Sequence, residues 1–198
     1  MNIFILLFLT VSSLFASPVQ EEKKEVKSIQ QEEKLAISCT EELQDILDLV
    51  YQIPSAKPLL SQALELGAVR IKLNRNSSFP FDAYWDSTSR TIFVNRSFRA
   101  PQGQVLWPLL FELHNAARQR DFNHIDALAK MRAISREDYI KEAEYIEYQN
   151  ALATSSLFEE AIKHKLVSRE EDRRLRAGLR LPSLVHQDRS FGVLPGRR

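Results

Sequence analysis

The chain has 198 residues, 44% of them hydrophobic, which is enough for one core of ordinary size with tails. Lys and Arg number 27 against 26 Asp and Glu, a net charge of +1, so no overall field draws in nucleic acid or an anionic membrane surface, and no nucleic-acid partner is expected. With 5 Gly and 8 Pro, a collagen-like or low-complexity chain is excluded.

The start, MNIFILLFLTVSSLFASPVQ, carries an apolar run from Ile3 to Leu9 that grades into small residues. The run is shorter than the roughly 20 residues a bilayer-spanning helix needs, and Leu14 and Ala16 precede Ser17 at the positions a signal peptidase reads. Residues 1–16 are therefore expected to be a signal peptide directing the protein to a secreted or periplasmic location, with no stable membrane span after its removal. Residues 17–37 are rich in Glu and Lys without a core-forming period and read as a charged linker. A globular domain is expected over 38–180 and a peripheral tail, broken by Pro and Gly, over 181–198. Cys39 is the only cysteine, so no intrachain disulfide can form, and its flanks suit a structural thiol at the start of a helix.

In CTEELQDILDLVYQI, Thr40 is an expected N-cap, Glu41 and Glu42 suit the first turn, and Leu43, Ile46, Leu47 and Val50 recur at helical spacing. SAKPLLSQALELG reads as a second helix closing on Gly67 in a left-handed cap. The period then changes to two. Val69, Ile71 and Leu73 alternate with Arg70, Lys72 and Asn74, and FDAYWDSTSRTIFVN reads as two strands around a polar turn from Asp86 to Arg90. After the break at RAPQG a helix is expected from about Gln104, with Pro108 in its first turn, where a missing N–H costs no helical bond. FNHIDALAKMRA reads as a shorter helix capped by Asn123. The stretch from Ser135 to Leu166 lacks Gly and Pro and reads as one long helix, or two with a break near Thr154. The fold class expected is α+β, mainly helical, with a small antiparallel sheet of about three strands.

Within the first long helix, LLFELHNAARQR puts Glu112, His114 and Asn115 among core-forming residues. A sheet, this helix, a short connecting helix and a glutamate-bearing helix follow one another in an order that resembles the zincin metallopeptidases of the Glu-ligand type. In that family a sheet-edge strand aligns the substrate, the next helix carries H-E-x-x-H, and a later helix supplies a third zinc ligand. The stretch Phe111, Glu112, Leu113, His114, Asn115 stands over that motif, so the resemblance spans roughly residues 68–152. Only Glu112, at the general-base position, agrees with the motif. Positions i and i+4 of a helix share a face and can hold one metal, but Phe111 has no donor atom and Asn115 is a poor zinc ligand. His114 cannot substitute, because its i±4 neighbours are Leu110 and Arg118. No metal and no cofactor are therefore expected.

The resemblance implies Glu147 as the counterpart of the third ligand, bonded here to Asn115. Glu147 shares a stripe with Ile140, Ala143 and Ala151, whereas Glu144, beside Lys141 and Tyr148, reads as more exposed. The candidate catalytic residue is Glu112, and the candidate binding residues are His114, Asn115 and Glu147. The chain is expected to be an exported, non-catalytic zincin-like protein that binds a polypeptide partner. A peptidase-like hydrolase using Glu112 with rearranged or no metal ligands stays open, as does a purely structural helical module.

Four histidines, His114, His124, His164 and His186, show no metal-ligand spacing. REEDRRLRAGLRL is locally basic after Asp172 and suits contact with an acidic partner, though its spacing reads foremost as a solvated helix with i,i+4 charge pairs. Tyr145 and Tyr148 suit either interface anchors or the rim of the core. Asn76 and Asn95 stand in glycosylation sequons.

Overall fold

The sheet is built around one hairpin. In the computed structural model, which describes residues 36–75, 81–96 and 100–170, strand β3 (Ala83–Asp86) runs antiparallel to β4 (Thr91–Val94), with Ala83 opposite Val94 and Asp86 opposite Thr91. The expected signal peptide, nearly all of the linker, the sequon at Asn76 and the 181–198 tail lie outside the described residues. Asp86 organises the hairpin turn: one carboxylate oxygen accepts the Thr88 N–H at 3.0 Å and the other the Ser89 hydroxyl at 2.6 Å. Arg90 closes it at φ 49°. Its guanidinium donates to the carbonyls of Ala63, Gly67 and Ala68 and lies over the Trp85 ring.

Strand β2 (Val69–Leu73) buries Val69 and Ile71 and turns Arg70 and Lys72 outward, as its alternation requires. It pairs with β4 in parallel, and a further strand, β1 (Ile37–Cys39), pairs in parallel with β2. The order is β1-β2-β4-β3, so β3 is an outer strand. The sheet thus has four strands and is mixed, where about three antiparallel strands were expected. The antiparallel pair is local and follows from its turn. The parallel pairs join segments separated by helices or by a strand, so no local pattern encodes them. Strand β1 is three residues long, too short for an alternation to show, and it begins inside the expected linker, with Ile37 only 4% exposed.

Between β1 and β2 the chain forms a short 3-10 turn (Glu41–Leu43), then α1 (Gln44–Gln52) and α2 (Ala56–Leu64). Thr40 does not cap with its side chain. Its hydroxyl accepts the Leu73 N–H at 3.3 Å and its own N–H reaches Ile71 O, so it serves the sheet instead. Gly67, at φ 116°, closes the turn after α2, its N–H on Leu64 O at 2.9 Å.

Helix α3 (Gln102–Ala117) is the hub: it packs against α1, α2, α5, β3 and β4. It starts two residues earlier than expected, which places Pro108 in its second turn. The missing N–H removes one helical bond, and Pro108 is itself buried. Arg96 grips both Asp45 carboxylate oxygens, at 2.7 and 2.8 Å, tying α1 to the chain just before α3.

Helix α4 (Gln119–Lys130) begins at Gln119, so Asn123 is an interior residue; its side-chain carbonyl accepts from Gln119 at 2.7 Å. Helix α5 (Arg136–Lys163) is a single helix of 28 residues, capped by Ser135, whose hydroxyl accepts the Asp138 N–H at 3.0 Å. No break occurs at Thr154, which lies on the helix's buried stripe. The first half of α5 packs on α4 through Phe122, Ile125 and Ile146, with Tyr139 donating to Asp126 at 2.8 Å; the second half joins the main core through Leu157, Phe158 and Ala161. Among the described residues no helix is long and apolar enough to cross a membrane.

Candidate functional site

Glu112 sits on α3 with Leu109, Leu110, Leu113 and Ala116 buried around it, and it is itself only 8% exposed. A carboxylate in such a place needs a donor. Asn115, one turn on, donates its Nδ2 to Glu112 Oε2 at 2.9 Å. Because the carboxylate oxygen accepts, the orientation of the Asn115 amide is set: its nitrogen faces Glu112 and its oxygen faces outward from α3. That oxygen accepts from Asn150 Nδ2 of α5, also at 2.9 Å, and Asn150 is 1% exposed. A continuous relay, Glu112 to Asn115 to Asn150, thus bridges the two helices.

Around the relay the side chains are less polar. Phe111 stacks on Trp107, their ring centroids 5.6 Å apart and their planes 9° from parallel. Thr154, one turn beyond Asn150, is fully buried and its hydroxyl has no partner. His114 is half-buried, and its Nε2 is enclosed without a hydrogen bond. Burial, reinforced by the positive charge of Arg118, pulls its pKa down to about 4, so the ring is neutral near pH 7.

The two helix positions that would carry zinc ligands therefore hold an aromatic ring in a stack and an amide engaged on both sides. They do not fit zinc. Among the described residues no group of three or more His, Cys, Asp or Glu is disposed to hold a metal ion.

Of the residues singled out from sequence, Glu112 and Asn115 meet directly, while His114 takes no part in the relay. The partner of Asn115 from the later helix is Asn150 rather than Glu147, which stands three residues before it. Glu144 and Glu147 are both half-buried, so exposure does not separate them. Asn150 and Thr154 carried a signal of their own: with Ile146, Leu157, Phe158 and Ala161 they form one helical stripe, so two polar residues stand in an otherwise apolar face.

Cys39 lies in β1, half-buried, and its thiol is pushed up to about 12, chiefly by desolvation and then by Asp48, Asp45 and Glu42, which makes it a poor nucleophile. Tyr145 and Tyr148 are 58% and 59% exposed, on the solvent face of α5 rather than at the rim of the core. Asn95 directs its side-chain amide at Phe81 O, so this sequon nitrogen is engaged in holding the start of β3.

Among the described residues strand β3 is the outer strand on its side of the sheet. The Asn95 N–H donates to Asp82 O at 2.7 Å, and bonded and non-bonded pairs alternate along an antiparallel ladder. Tyr84 and Asp86 therefore turn their backbone groups toward β4, and Ala83 and Trp85 turn theirs away from it. Trp85 anchors the strand from below, its indole N–H donating to Gln119 Oε1 at 2.6 Å. The chain matches no family model, no curated protein and no solved structure.

Proposed function

We propose that the chain is an exported, non-catalytic zincin-like protein that binds a polypeptide partner. The observation that carries this reading is the relay through Asn115. At the positions where the resemblance puts two histidines stand Phe111, in a stack, and Asn115, whose amide joins Glu112 to Asn150. Glu112, at the position of the family's general base, is buried and accepts from a neutral amide of the same helix. Of the two ligand positions, one thus packs within its own helix and the other, Asn115, ties that helix to α5.

The sequence of elements supports the scaffold: an outer strand antiparallel to its neighbour, a second strand, then the helix with the altered motif. Polypeptide binding draws support from β3, the outer strand among the described residues: the backbone groups of Ala83 and Trp85 point away from β4, although both residues are largely buried. Peptides selected on the protein from a displayed random library are the test. Binders should slow amide exchange at Ala83 and Trp85 and leave α5 unchanged. Failure to select any binder, or protection elsewhere alone, would overturn the reading. Export is checked separately: intact mass of protein from the exported fraction should correspond to a chain beginning at Ser17.

A further inference from the structure

Helix α5 presents a second face, away from the relay, that bears an unusual symmetry. Tyr145, Tyr148 and Leu152 recur at spacings of three and four and are 58%, 59% and 50% exposed, three of the largest exposed apolar side chains among the described residues. The same stripe continues in both directions with exposed charges: Lys141 and Glu137 toward the start of the helix, Glu159 and Lys163 toward its end. At 1.5 Å per residue the stripe from Glu137 to Lys163 is about 40 Å long.

The charges are arranged antisymmetrically about the level of Asn150. Residues equidistant from that level face each other when two copies of one helix pack antiparallel across a two-fold axis. In that pairing Tyr148 meets Leu152 of the other copy, Tyr145 meets Ser155, Lys141 meets Glu159, and Glu137 meets Lys163. Every contact occurs twice, an apolar centre is flanked by opposite charges, and no like charges are opposed. A parallel pairing would set each charge against its own copy. Each Glu also stands four residues before its Lys, an arrangement that steadies a single helix; what that leaves unexplained is the exposed apolar cluster between the two charged ends.

We propose that this face of α5 is an interface for a second copy of the same chain, forming an isologous antiparallel dimer centred beside Asn150. Self-complementarity of this kind is what a closed two-fold contact demands. With a net charge of only +1, no long-range repulsion keeps two copies apart. With three exposed apolar side chains per copy the apolar centre is small, so the dimer is a dissociable one.

Sedimentation velocity of the full chain over a concentration series tests it. The wild type should shift from monomer to dimer as concentration rises. Lys141→Glu and Glu159→Lys each oppose like charges twice across the axis, so each alone should weaken dimerisation roughly tenfold or more. An equimolar mixture of the two variants should form a heterodimer, since positions 141 and 159 of the two chains then carry opposite charges at both ends of the contact. All these positions are exposed, and circular dichroism should show unchanged helix content. A chain that stays monomeric throughout, single reversals without effect, or a mixture that fails to associate would each overturn the proposal. Leu152→Glu, which puts a charge in the apolar centre, should abolish dimerisation in every background.

Discussion

Asn150 of α5 donates to Asn115 of α3 at 2.9 Å, and the two residues stand 35 positions apart in the chain. The bond joins two packed helices, with Asn150 buried and Asn115 half-buried. Asn150→Ala leaves the Asn115 carbonyl buried and unmatched, so it should lower stability by about 1–3 kcal/mol. A double-mutant cycle with Asn115→Ala should return a coupling of about 1 kcal/mol in urea denaturation. Strict additivity would show that the bond does not link the helices energetically.

Glu112 ends the same relay. Glu112→Ala removes the acceptor that Asn115 faces and opens space beside Leu109 and Leu113, and should destabilise by about 1–3 kcal/mol. Glu112→Gln keeps an acceptor oxygen and the same volume, so its denaturation midpoint should fall between those of wild type and Glu112→Ala. Equal midpoints for all three proteins would contradict the burial of this carboxylate.

His114 links stability to pH. Its folded-state pKa, about 4, lies below the ordinary 6.5, so between these values the unfolded chain binds the proton and the folded chain does not. The associated stability is present above pH 6.5 and is lost as pH falls toward 4. His114→Leu should remove this part of the slope. Midpoints compared near pH 7 and near pH 5 check it: the wild type should lose more than the variant, and parallel losses would assign the slope to other groups.

Zinc binding can be engineered if the backbone is zincin-like. Phe111→His with Asn115→His places two imidazoles on one helical turn opposite α5, and the double variant should bind zinc in a one-to-one ratio. Glu147 stands three residues before Asn150 and shares its face, so Glu147→Ala in that background should weaken binding at least roughly tenfold, since losing even an outer-shell partner of a ligand costs about that much. Glu144 is six residues from Asn150 on another face, and Glu144→Ala should change little. Metal analysis of the folded double variant decides the matter, and an absence of zinc would count against the resemblance.

Local chemistry was legible in the sequence because it depends on neighbours in the chain. The alternation of Val69 and Ile71 with charged residues, the Gly67 cap, the Asp86 turn, the Ser135 cap and the shielding of Glu112 all follow from spacings of a few residues. The α+β class follows from the same periods. Partnerships across long separations were decided only by the tertiary structure. Thr40, by type an N-cap, takes the Leu73 N–H on its hydroxyl because β1 lies beside β2. Asn150, not Glu147, meets Asn115 because the rotation of α5 is set by burying Leu157, Phe158 and Ala161 in the main core, and that rotation carries Asn150 and Thr154 inward with them. A helix's period says which residues share a face; the packing of the apolar residues on that face decides what each polar one touches.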